Sequence, residues 1–277
     1  MLGLTATYLV AEVSGGLLTG SLALLADAGH MLTDLAGLAL ALVALTVAER
    51  PATPQRTFGY RRVEILAALI NAVVLVLISL YVLFEAFERF RNPPPVEAGA
   101  MMIVAAVGLA VNFAGMMVLR SGSRESLNMK GAYFEVLSDM FTSIGVIAAG
   151  LVIWVTGWRY ADPLASAGIG LFILPRTWGL LKDAVGVLME GTPPEVDLEA
   201  VRGAIQGVEG VVGVHDLHAW ALTSGANALS AHVVLVEGAS FAAVLSAVHR
   251  RLRSGFPIGH VTIQVEPEGW ERAETHP

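Results

Sequence analysis

What most constrains this chain is a succession of apolar runs, each long enough to cross the roughly 30 Å hydrocarbon layer of a bilayer. They lie near 2–20, 24–48, 63–89, 98–120, 128–156 and 161–188. The expected fold is therefore an α-helical membrane protein built on a six-transmembrane-helix bundle. Composition agrees, since 55% of the 277 residues are hydrophobic and only 15% are charged. The net charge of −7 and the lack of a basic tract leave no footprint for nucleic acid. The chain contains no cysteine, so disulfides, thiolate metal ligands and cysteine nucleophiles are excluded. Any metal chemistry must rest on imidazole and carboxylate.

Met1 leads almost directly into apolar sequence without a basic segment, so a cleaved signal peptide fits poorly and the first span is expected to be retained. Arg50, Arg56, Arg61 and Arg62 lie between the second and third runs, and Arg120, Arg124 and Lys130 between the fourth and fifth. The opposite loops carry fewer cations, Arg89, Arg91 and Arg159. By the positive-inside rule the first two loops, and with them both termini, face the cytoplasm.

After Met189 the character changes. Glu190-Gly-Thr-Pro-Pro194 is a breaker, and the remainder is shorter, mixed and more acidic, as a water-facing domain would be. The expected division is a transmembrane domain over 1–190 and a cytoplasmic domain over 191–277. Residues 196–205 have helical spacing. VVGVHDLHAWALTSG and NALSAHVVLVEG read as two strands joined by a glycine turn, FAAVLSAVHRRLRSGF as a helix and HVTIQVEP as a last strand. The order α-β-β-α-β implies a small α+β domain with two helices on one sheet face.

The second apolar run contains ADAGHMLTD, in which His30 and Asp34 are four residues apart and therefore share a helix face. The fifth contains GAYFEVLSDMFTS, in which Glu135 and Asp139 repeat that spacing. Burying a single carboxylate costs about several kcal/mol, so four such groups call for a cation or a wet cavity between them. His30, Asp34, Glu135 and Asp139 supply one nitrogen and three carboxylates, a set that suits a four-coordinate ion such as Zn²⁺. The competing reading of either pair alone is a buried tie between helices; the repeated spacing argues against it. Asp27 precedes His30 by three residues and is expected to cap the helix or to orient the imidazole from behind.

The series GSLALLADAGHMLTD, TFGYRRVEILAALINA, LNMKGAYFEVLSD, ADPLASAGIGLFIL, HDLHAW, SAHVVL and HVTIQVE, in this order, resembles the cation diffusion facilitator (CDF) family, which exports Zn²⁺ and related divalent ions. The resemblance implies a six-helix transporter in the lipid bilayer of the cell (inner) membrane, with a metallochaperone/ferredoxin-like cytoplasmic domain. It further implies a homodimer that exchanges metal for protons, with Zn²⁺ as substrate and regulatory ligand and no organic cofactor. The zinc-transporting branch usually has His-x-x-x-Asp on both helices, and here Glu135 stands where the second histidine would be. An added carboxylate hardens the site and opens the choice among Zn²⁺, Cd²⁺, Co²⁺ and Mn²⁺. The loop QRTFGYRR holds neither His nor Asp, so the additional loop metal site of some members is not expected.

By the same family pattern, His215, His232 and Glu266 match a cytoplasmic metal site, with His218 and Gln264 as secondary participants. Simple strand alternation sets His215 and Leu217 on one face and Asp216 and His218 on the other, so HDLH would not present its polar groups together. His249 and His276 read as solvated. Asn71, Asn112 and Ser138 are expected to hydrogen-bond between helices, and Glu12 to face a cavity or the membrane surface. Asp162 is expected to cap the last helix with Pro163 in its first turn, and Pro175 to kink that helix. Two readings from other classes compete with a transporter. An intramembrane metalloenzyme would need a general base, and no HExxH occurs. A tethered metal sensor gains nothing from charges on two separate spans.

Overall fold

The computed structural model describes residues 2–122 and 127–270. Arg124 and His276, weighed above, lie outside the described residues. Six long helices come first: α1 Leu2–Thr19, α2 Leu22–Ala48, α3 Arg62–Arg91, α4 Ala98–Gly122, α5 Leu127–Thr156 and α6 Ala161–Leu188. Five of them, α2 to α6, are long and apolar enough over their described residues to span a bilayer. Large apolar side chains such as Leu42, Phe84, Trp154 and Leu171 point away from the protein, as expected of surfaces that meet lipid rather than water. By contacts the chain divides into two compact units, one of Met1–Ala41 with Ile70–Leu181, the other of Leu42–Leu69 with Lys182–Pro277.

In the first unit α4 packs most extensively on α5 and also on α1. The buried core draws on five helices, with Leu24, Leu75, Met101, Val146 and Ile169 interleaved with alanines. Small side chains let backbones approach where lipid supplies no hydrophobic drive between helices. Gly37 shows this directly, since its backbone lies against the Asn71 side chain and a Cβ there would meet the amide at 2.6 Å. Ser138 does not bridge helices; its hydroxyl donates to the Phe134 carbonyl one turn back at 3.0 Å, the usual outlet for serine within a helix.

The turn from α1 to α2 passes through Gly20 at φ +72°, a left-handed conformation that a glycine adopts without Cβ strain. Ser21 then caps α2, its hydroxyl accepting from the Leu24 amide at 3.2 Å. Asp162 corrects the sequence reading. Rather than capping its own helix, its carboxylate accepts from Ser21 Oγ at 2.6 Å, Leu22 N at 2.9 Å and Ala23 N at 3.2 Å. Those amides have no partner within α2, and Asp162 sits inside the first turn of α6, where Pro163 already lacks an N–H to satisfy. Arg89 reinforces the junction, donating to the Gly20 carbonyl at 2.6 Å and lying 3.8 Å from Asp162. α6 runs through Pro175 as one assigned helix.

In the second unit the order is α7 Leu198–Gln206, β1 Val211–Thr223, β2 Ala226–Leu235, α8 Phe241–Gly255 and β3 His260–Pro267. This is the α-β-β-α-β order read from the sequence. Asp197 caps α7 by accepting from the Glu199 and Ala200 amides. The sheet order is β1-β2-β3, antiparallel between the first two and parallel between the last two. Val201 and Ile205 of α7 and Val248 and Leu252 of α8 bury against Leu229 and Val233 on one sheet face. The 50–64 segment belongs to this unit, with Arg62 paired to Glu190 at 2.8 Å and Thr223 Oγ1 donating to Glu64 at 2.5 Å.

Removing the Asp162 carboxylate would leave two amides and a hydroxyl at the start of α2 without their acceptor. Asp162→Ala is expected to destabilise the purified protein by roughly 2 kcal/mol, read as a lower thermal midpoint in detergent, with Ser21→Ala falling less. An unchanged midpoint for Asp162→Ala would contradict this role.

Candidate metal centre

Helical spacing brings His30 and Asp34 onto one face of α2, with Nε2 to Oδ2 at 3.5 Å. From α5, Asp139 Oδ1 lies 4.0 Å and Glu135 Oε1 3.7 Å from the same imidazole nitrogen. His30, Asp34 and Asp139 each offer a donor atom within 4.8 Å of the others. They line a cavity of about 610 Å³, together with Asn71, Glu135 and Arg176. His30 Nδ1 and Asp139 Oδ1 are buried without a hydrogen-bond partner among the described residues. At Asp139 Oδ1, which lies on the side of His30 Nε2, a divalent cation would answer such a shortage, because it takes lone pairs that no protein donor has claimed.

Glu135 stands apart from that triad, both of its oxygens accepting from Arg176 of α6, Oε1 from Nη1 at 3.2 Å and Oε2 from Nη2. Asp27 is not a cap, since α2 begins five residues earlier at Leu22. It is buried and accepts a hydrogen bond from Thr142 Oγ1 of α5 at 2.7 Å, so it ties α2 and α5 together within one turn of His30 and Asp139. Glu12, expected at a cavity or at the membrane surface, is fully buried and accepts from the Tyr8 hydroxyl at 2.9 Å. Asn112 is buried with its Nδ2 unpartnered among the described residues, so no hydrogen bond from that nitrogen joins the helices.

Sequence reasoning missed Arg176 and Thr142. A lone arginine after Pro175 inside GLFILPRTWGLL is itself a signal, because an ionisable group within a span faces a partner or a cavity. Thr142 carries no comparable signal, as threonine is common in helices that pack in lipid.

The second cluster lies on the sheet face opposite α7 and α8. His215 pairs with His232 across β1 and β2, and His232 with Gln264 across β2 and β3. Glu266 Oε2 is 3.0 Å from His215 Nε2, and Oε1 is 2.8 Å from His232 Nδ1. Gln264 Nε2 donates to Glu266 Oε1 at 2.8 Å. Two imidazoles and a buried carboxylate within 4.8 Å of one another fit Zn²⁺ as three of its four tetrahedral ligands. The expected alternation along HDLH does not hold. Between His215 and His218 the strand carries a bulge, with Asp216 at φ +46°, so His218 pairs with Ser230 and returns to the face of His215. His218 is still not drawn into the cluster; it is exposed and lies 3.7 Å from Asp216. His249, expected to be solvated, is half-buried on α8.

The profile of the cation efflux transmembrane domain matches residues 1–189, and that of the cation efflux protein cytoplasmic domain matches residues 193–268. The chain belongs to the cation efflux, or cation diffusion facilitator, family. It is a multi-pass membrane transporter of divalent metal cations and not an enzyme. The chain is 49% identical over 274 residues to the metal cation efflux system protein CzcD of Cupriavidus metallidurans, covering 99% of this chain and 87% of that one. It is 45% identical over 266 residues to a Bacillus subtilis protein named cadmium, cobalt and zinc/H(+)-K(+) antiporter, covering 94% and 85%. It is 42% identical over 276 residues to zinc transporter ZitB of Escherichia coli, covering 99% and 88%. A solved structure described as the metal-bound C-terminal domain of the CzcD transporter covers 26% of this chain and 99% of its own, at 44% identity and a TM-score of 0.25.

In this cation efflux protein the sheet cluster is expected to bind zinc independently of the helices. With Asp34→Ala and Asp139→Ala in place, calorimetric titration of the full chain should still report that site. Adding His232→Ala should weaken the remaining binding by about tenfold or more. Equal binding with and without His232 would remove the cluster as a metal site.

Proposed function

We propose that this protein exports Zn²⁺ from the cytoplasm in exchange for protons, with Cd²⁺, Co²⁺ and Mn²⁺ as further cargo. The observation that carries the reading is the convergence of His30 and Asp34 from α2 with Asp139 from α5, their donor atoms within 4.8 Å in a cavity between apolar helices. Nitrogen and oxygen donors without a thiolate bind a borderline ion and release it again. Glu135 belongs to the same cargo site, and Asp27 supports it through Thr142.

Metal competes with protons for the carboxylate and imidazole lone pairs, so loading from the cytoplasm releases protons and protons arriving from the other side displace the ion. Alternation of the helices between two states couples the two fluxes, because each ligand binds one state better than the other. The chain is read as a homodimer in the cell inner membrane, with both termini in the cytoplasm, the transport domain over 1–190 and the regulatory domain over 191–277. The cation-rich loops support that orientation. Zn²⁺ held by His215, His232 and Glu266, with His218 outside the set, acts as a regulator of transport through linkage to the helix equilibrium.

In proteoliposomes, zinc efflux should accelerate when the release side is made acidic and slow when the gradient is collapsed. Flux indifferent to the gradient would end the antiport reading. Asp34→Ala with Asp139→Ala should reduce flux to that of protein-free liposomes, and Glu135→His should shift preference toward softer ions, measured by competition among Zn²⁺, Cd²⁺ and Mn²⁺.

A further inference from the structure

Arg176 is the permanent cation among the described residues that line the transport cavity. Its guanidinium faces Glu135 as a fork, one nitrogen to each carboxylate oxygen, the geometry in which arginine and carboxylate bind most strongly. Glu135 thus has both oxygens engaged, while Oε1 remains 3.7 Å from the His30 nitrogen that faces the metal donors. The charge count points the same way. Among the groups that line the cavity, Asp34, Glu135 and Asp139 ionised carry three negative charges and Arg176 offsets one, leaving two, which a divalent cation neutralises. Without Arg176 the loaded site would keep an uncompensated negative charge in a surrounding that penalises it.

We propose that Arg176 is a tethered counter-cation of the transport site, holding Glu135 while no metal is bound and yielding it to the incoming ion as a further ligand. The inference rests on the cargo site described above and assigns it a way of releasing its load. The guanidinium stays in the cavity after the exchange, so the loaded site is neutral. When the ion leaves, Glu135 returns to Arg176 rather than standing exposed. The fork therefore competes with the metal for Glu135 and sets an upper limit on affinity. A carrier needs such a limit, because tight binding that is uniform across states slows release.

The test uses the full chain carrying His232→Ala, so that the sheet cluster does not mask the helices. Zinc Kd is measured in detergent by competition with a chromophoric chelator, and kcat and KM for efflux in proteoliposomes. Arg176→Gln is expected to lower Kd by about tenfold or more, since a competing full charge is removed at contact distance. KM and kcat should fall with it, and Arg176→Gln with Glu135→Gln should return Kd toward that of the parent. An unchanged or weakened Kd in a monodisperse Arg176→Gln protein would overturn the proposal and leave Arg176 a structural tie. Should Arg176→Gln fail to fold, Arg176→Lys keeps the charge without the fork and should give a smaller fall in Kd; no fall would again overturn it. Asp34→Asn with Asp139→Asn separates the underlying reading, because zinc binding that survives in that variant places the cargo site elsewhere whatever Arg176 does.

Discussion

Everything in the membrane-spanning unit follows from one constraint: a charge placed among apolar helices must find its compensation inside the protein. Asp162 finds it in the amides that begin α2 and in Arg89. Glu12 is held by Tyr8, and Asp27 by Thr142. Each of these acids accepts a hydrogen bond from another helix or from its own helix one turn away, and so fixes the frame. At the proposed cargo site compensation is incomplete, as it also is at the second oxygen of Glu12. Asp139 Oδ1 is buried without a hydrogen-bond partner among the described residues and faces His30 Nε2 at 4.0 Å, so a cation seated there would complete it. The tie between Asp27 and Thr142 joins the helix bearing His30 to the helix bearing Asp139 within one turn of each residue.

The small domain obeys a different economy. Its sheet buries one apolar face under α7 and α8 and leaves the other free for polar groups. Glu266 is buried on that second face, and the two imidazoles and the amide of Gln264 surround it. The pairing of His215 with His232 and of His232 with Gln264 is set by the register of three strands, so the cluster is a product of sheet topology rather than of any local motif.

The helices, their ends and the α-β-β-α-β order of elements were legible in the sequence because they depend on composition and period, which are local. The spacing of His30 and Asp34, and of Glu135 and Asp139, was legible for the same reason. The partners of Asp162 were not, since the amides it caps lie about 140 residues away and any aspartate beside a helix-starting proline reads as a local cap. The bulge at Asp216 was equally hidden. Strict alternation assumes an unbroken ladder, and one extra residue reverses the face of everything beyond it. Arg176 left a trace as a lone cation in an apolar helix, but its carboxylate partner is 41 residues away and only the folded bundle brings them together.

A transporter must bind its cargo well enough to select it and weakly enough to let go, and the accessibility of the ligands bears on how that balance is struck. The His30 side chain is 8% exposed, whereas Asp34 and Glu135 are 35% and 27% exposed. The imidazole is therefore a fixed, nearly dry donor, and the more open carboxylates are those that water and protons reach first. An ion held mainly by the dry donor would be selected for its affinity to nitrogen, which favours zinc over harder ions. The open carboxylates add charge without adding softness, and they are also the groups from which competing protons can most readily take over. In the proposed cargo site selection and release would then fall to different members, His30 with the buried Asp139 (12% exposed) choosing the ion and the open Asp34 and Glu135 governing when it leaves.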